Sequence, residues 1–215
     1  MGMDPRVRLA DDGVKELILA RPTKEERKVS IMSKALELFS KEGFYQTTMP
    51  TIAEKIGMSV GNLYNYFTSK EMLAKDLILY IANILGEEIR QINESPLNTQ
   101  EKIESIVHMY FKIAKDRPET IEYFLRVYLS NREVFQNCCE GMICVSAFVT
   151  EMMIFFEEGV RCGELRDQDF FSAFGLFMGY LGGMVFISGE HILPKPLEEY
   201  EHTIAENIYY ALKSR

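Results

Sequence analysis

The stretch Thr47–Leu73, TTMPTIAEKIGMSVGNLYNYFTSKEML, constrains this chain more than any other. It holds two very short helical units. Pro50 to Ile56 sets Ile52, Ala53 and Ile56 on one side and stops at Gly57. Ser59 caps a second unit, Val60 to Phe67, with Leu63 and Phe67 pointing inward. Helices this short do not stand alone in water. They must cross closely and be tied to a third element. Ala53 is the small residue that a close crossing needs, and Gly57, four residues later, is free to take the left-handed backbone of a tight turn. Ile52, Ile56, Met58 and Leu63 supply the apolar ties.

The remaining sequence reads as helix. Thr23 with Glu26 forms a capping box for a segment that runs to Gly43, with Ile31, Met32, Ala35, Leu36 and Phe39 on one face. Ser69 caps a long helix through about Ile92, and Ser95-Pro96-Leu97-Asn98 breaks it. Helical patterns then cover Thr99 to Lys115, a segment opening at Pro118, Cys138 to Arg161, Gln168 to Ser188, and Pro196 to Leu212. No strand alternation or internal repeat is present. The expected fold is all-α, with residues 1–22 as a loosely attached arm, 23–75 as a three-helix module and 76–215 as a larger helical bundle. A chain of 215 residues has room for both.

Charge divides along the same boundary. From Arg21 to Lys75, nine Lys/Arg stand against six Asp/Glu; from Asp76 to Arg215, twelve stand against twenty-two. A net charge of −8 excludes a generally basic nucleic-acid coat, but leaves room for a localised contact. The four cysteines, Cys138, Cys139, Cys144 and Cys162, match no zinc spacing, and no signal peptide precedes the first acidic residues. Free thiols in a cytoplasmic setting are expected, either structural or redox-sensing. The three histidines, His108, His191 and His202, form no catalytic constellation, and no phosphate loop or GxSxG is present, so no enzyme, metal or cofactor is expected.

A two-helix elbow of this kind can lay the N-terminal half of its second helix in the major groove of duplex DNA. The window resembles, position by position, the DNA-binding region of tetracycline-repressor-type (TetR) regulators. The matching residues are Gly43-Phe44, Thr47-Thr48, Ile52-Ala53, Gly57-Met58-Ser59, Gly61-Asn62-Leu63-Tyr64, Tyr66-Phe67, Ser69-Lys70-Glu71 and Leu73. The stretch Glu158–Leu165 is also similar to a glycine-bounded turn common in that family. The resemblance implies that Thr48 and Pro50 at the first motif helix, and Ser59, Val60, Gly61, Tyr64, Asn65, Tyr66 and Lys70 beyond it, meet DNA. Tyr64, Tyr66 and Lys70 would meet the backbone, and Asn65 and Val60 the base edges. Between Pro50 and Ser69 the sole Lys/Arg is Lys55, so the expected salt dependence is shallow.

The same resemblance implies a homodimer on a pseudo-palindromic operator, acting as a repressor that a small-molecule effector releases. Residues for the effector pocket are His108, Tyr110, Phe111, Tyr123, Phe124, Arg126, Tyr128, Met142, Phe148, Met152, Phe156 and Phe177. Phe174, Gly175, Met178, Gly179, Gly182, Ile208 and Leu212 are the residues for the dimer surface. Two rival readings stand beside this one. Phe170 to Gly189 carries no charge, so it is either a helix buried in a bundle and subunit interface or a membrane span. The whole chain is otherwise a protein-interaction bundle without DNA binding.

Overall fold

A computed structural model describes residues 23–124 and 145–214. Those residues form α1 (Lys24–Glu42), α2 (Met49–Ile56), α3 (Val60–Tyr64), α4 (Lys70–Glu94), α5 (Thr99–Asp116), α6 (Pro118–Glu122), α7 (Ser146–Arg161), α8 (Phe170–Gly189) and, after a 3₁₀ turn at Leu197–Tyr200, α9 (Glu201–Leu212). Among the described residues the pairing of extended backbone is limited to one bridge, Leu165 with Lys213. The all-α expectation holds. The arm 1–22, the expected start of the helix at Cys138, and Cys138, Cys139 and Cys144 lie outside the described residues.

Local signals set the ends of these helices. The Thr23–Glu26 capping box closes both ways, at 3.2 Å and 2.7 Å. Asn98 and Glu101 form a second box, which starts α5 after the Ser95–Asn98 break. The serine caps at Ser59 and Ser69 accept from Asn62 N and Met72 N. Helix α4 runs two residues past its expected end, to Glu94.

The first three helices bury Ile31, Ala35, Phe39, Ile52, Ala53 and Leu63, joined by Phe67 from the turn after α3, around α1 and onto the front of α4. Helix α4 then continues into the second module, where its main neighbour is α7. A Cβ on Gly86 of α4 would stand 3.0 Å from the Ala147 carbonyl carbon, so the two backbones nearly touch there. At the far end of α4, Lys102 is buried and its ammonium donates to the Asn93 carbonyl (2.7 Å) and to Glu158 (3.2 Å). Asn93 Nδ2 donates onward to the Glu151 carbonyl and carboxylate. This polar cluster fastens the end of α4 to α5 and α7. Helix α9 lies along α5, with Ile204, Ala205, Ile208 and Leu212 all buried.

Candidate nucleic-acid interface

The elbow is built as its sequence demands. Thr48 caps α2, its hydroxyl accepting from Thr51 N (3.3 Å) and sharing a hydrogen bond with the Thr51 hydroxyl (2.7 Å). Pro50 follows in the first turn, where its missing N–H costs nothing. Gly57 takes φ +73°, ψ +39°, and Met58 N–H returns to the Ala53 carbonyl at 3.0 Å. Ser59 then starts α3, which is shorter than its sequence suggests. It ends at Tyr64 instead of Phe67, and Tyr66 and Phe67 N–H both close onto the Leu63 carbonyl (3.0 and 3.1 Å). Asn65 is its C-cap, a residue type that favours helix ends.

Burial divides the second unit by face. Leu63 is fully buried and Phe67 nearly so, both in the module's core. Gly61, Asn62, Tyr64 and Asn65 are exposed, and Val60 and Tyr66 are half-buried. Gly61, Tyr64 and Asn65 lie on the side away from the buried Leu63, whereas Val60, three residues before Leu63, packs partly against the core. Tyr64 is 47% exposed although it is aromatic and lies between core residues. Thr48, Pro50 and Ser59 are exposed as well.

Lys70 has partners that the sequence alone does not reveal. Its ammonium donates to the carbonyls of Phe44 (2.7 Å) and Thr47 (3.0 Å) and lies 4.2 Å from the Phe44 ring centroid. Partial burial lowers its pKa below the ordinary lysine value. Nearby, Lys28 of α1 pairs with Asp76 of α4 at 2.8 Å. Lys55 is exposed at the end of α2.

The residues expected around an effector scatter. Tyr110, Phe124 and Phe148 line a small apolar cavity of about 30 Å³, together with Ile78, Leu85 and Met178. His108 lines a separate, larger cleft of about 670 Å³ between α1, α4, α5 and α6, whose walls include Leu36, Leu77, Tyr80, Ile81, Lys112 and Arg117. Phe156 borders a third groove beside Arg166 and Phe170. Phe111, Met152 and Phe177 are fully buried and line none of these spaces. They pack the core. Tyr123 is a correction of a different kind. Its ring meets Phe39 of α1 at 5.9 Å and its hydroxyl donates to the Ala74 carbonyl of α4 at 2.9 Å. It joins the two modules, and burial holds its phenol well above the usual pKa. Arg126, Tyr128 and Met142 lie outside the described residues.

Helix α8 is buried on one side only. Ala173, Phe177 and Leu181 face inward, whereas Phe171 and Phe186 are 62% and 58% exposed. A Cβ at Gly175, Gly179 or Gly183 would meet nothing within 4 Å. Within one chain the bundle covers one side of α8 and leaves the other to the expected subunit interface. Phe174 and Met178 are half-buried against the core, and Gly182 is half-buried on the same helix. Ile208 and Leu212 are a correction: both are fully buried against the chain's own helices and have no surface to offer a second copy. By length and composition α8 also qualifies as a membrane-crossing helix. Cys162 is a free, exposed thiol, and no metal-binding cluster occurs among the described residues.

Comparison with known proteins places this geometry. Residues 31–77 match the family model described as bacterial regulatory proteins, tetR family. The HTH-type transcriptional regulator RutR of Escherichia coli (strain K12) is 28% identical over 145 residues, 66% of each chain. The alignment thus spans just under two thirds of RutR. The fatty acid metabolism regulator protein of Bacillus subtilis (strain 168) is 24% identical over 148 residues, 67% of this chain and 73% of that one. Among solved structures, FadR from Bacillus subtilis in complex with stearoyl-CoA superposes with a TM-score of 0.74 at 19% identity, over 84% of this chain and 97% of that one. At that identity the likeness is one of fold.

Proposed function

We propose that this chain, whose residues 31–77 match the tetR-family model, is a TetR-family transcriptional regulator that reads a twofold-symmetric operator in duplex DNA as a homodimer and leaves it when a small molecule binds. The observation that carries the reading is the exposed set on α3 and at its end: Gly61, Tyr64 and Asn65 on the side away from the buried Leu63, with the half-buried Val60 at the edge of that surface. A solvated tyrosine beside a helix this short has no packing role to explain it. In a major groove, Gly61 lets the backbone approach, Val60 meets a thymine methyl, Asn65 pairs with an adenine edge, and Tyr64 and Tyr66 reach phosphates. Thr48 and Pro50 at the start of α2, with Ser59, lie along the flanking backbone.

The two copies pair through the exposed side of α8. Gly175, Gly179 and Gly183 let two backbones approach, and Phe171 and Phe186 bring apolar area. An apolar patch of this kind on a chain that must read two half-sites is better covered by a second copy than by lipid. A cytoplasmic, soluble dimer follows from that assignment. The effector belongs in the cleft of about 670 Å³, a volume suited to a small molecule, because its walls span α1, α4 and α6. A ligand there bears directly on the angle between the reader and the bundle, and differential affinity for two tilts of α4 shifts the DNA-binding equilibrium.

Tyr64→Ala tests the DNA face. The variant should keep the wild-type melting temperature, since Tyr64 is not in the core, while fluorescence anisotropy shows at least about tenfold weaker binding, about the worth of one hydrogen bond to a phosphate. Equal affinity for the same duplex contradicts the assignment.

A further inference from the structure

Lys70 opens α4, and the first turn of a helix is an unfavourable place for a cation. The unpaired N–H groups there already carry partial positive charge. The side chain is nevertheless held firmly. Its two carbonyl partners, Phe44 and Thr47, lie 26 and 23 residues earlier, in the loop between α1 and α2. That loop is itself fixed. Phe44 is buried and stacked on Phe39 at 5.7 Å, and the buried Thr47 hydroxyl donates to the Gly43 carbonyl at 2.8 Å. The next residue, Thr48, is the cap of α2. An ammonium has three N–H donors. Two are used on carbonyls, and the Phe44 ring face occupies another side of the group.

We infer that Lys70 is a positioning residue, strapping the α1–α2 loop to the start of α4 and so fixing Thr48 and α2 beside α3, and is not chiefly a phosphate ligand. The use made of this strap rests on the DNA-reading proposal; the strap itself does not. Its lowered pKa agrees with an ammonium withdrawn from solvent.

Lys70→Met in the full-length chain separates the two roles. Without DNA, amide hydrogen exchange at residues 47–52 should quicken at least about tenfold while the α9 amides keep their rates, because only the loop loses its tie. For DNA, the probe is a duplex of about 30 base pairs that the wild-type protein enriches from a randomised pool, long enough for two half-sites. The variant should bind it at least about tenfold more weakly with an unchanged slope of log K against log salt. A simple phosphate ligand gives the opposite pattern: unchanged exchange and a slope shallower by about 0.9 per lysine, about 1.8 for a dimer. That pattern overturns the inference. Should Lys70→Met fail to fold, ¹⁵N-lysine-labelled wild type carries the test. A slowly exchanging Lys70 ammonium resonance in the free protein supports the strap, and one that emerges only with duplex refutes it. If the wild type enriches no duplex, DNA reading falls, while the exchange data still decide the strap.

Discussion

At the scale of single residues, the elbow depends on a backbone sign that no side-chain contact supplies. Gly57 holds φ +73°, and a Cβ there would meet nothing within 4 Å. Its requirement is purely conformational. Gly57→Ala should therefore cost about 1–2 kcal/mol in urea unfolding with an unchanged m-value, the penalty of a left-handed residue that bears a Cβ. A neutral substitution would mean that the elbow tolerates another turn. Gly57, the Thr23–Glu26 box and the Ser59 and Ser69 caps were all legible in the sequence, because each is decided within four residues. Lys70 and Tyr123 were not. The Lys70 carbonyls lie more than 20 residues away and the Tyr123 partner 49 residues away, and a backbone carbonyl leaves no mark in side-chain spacing.

Among the elements, α4 matters most, since it belongs to both modules. Lys70 ties its start to the α1–α2 loop, the Lys28–Asp76 pair and the Tyr123 hydroxyl hold its first turns, and the Asn93–Lys102–Glu158 cluster holds its end. Between these ties, Gly86 nearly touches the Ala147 backbone. Gly86→Val should destabilise by about 1–3 kcal/mol, the usual cost of overpacking, because backbone cannot yield as a side-chain tip can. A gain in stability, read by urea unfolding, would contradict so close an approach. That α4, α5 and α9 are helices was readable. Which neighbour each meets was not, and for that reason Ile208 and Leu212 were read as dimer surface although they are core.

For the molecule as a whole, the account requires two copies. Gly179→Arg sets a charge on the exposed side of α8, where a Cβ has open space, so the single chain should keep its fold. Light scattering should then show a dimer for the wild type and a monomer for the variant, and operator binding should fall with the loss of the second half-site. An undisturbed dimer would move the interface elsewhere. The charge asymmetry between the front segment and the acidic back half, and the elbow in the window Thr47–Leu73, were visible in the sequence. The one-sided exposure of α8 was not, since a uniformly apolar helix reads alike whether chain, partner or lipid covers it. The most direct test of the central claim is sequencing the duplexes that the wild-type protein enriches from a randomised pool. The account predicts an inverted repeat with half-site centres about 10 base pairs apart or a multiple of that. A pool without enrichment, or one converging on a site lacking twofold symmetry, would contradict it.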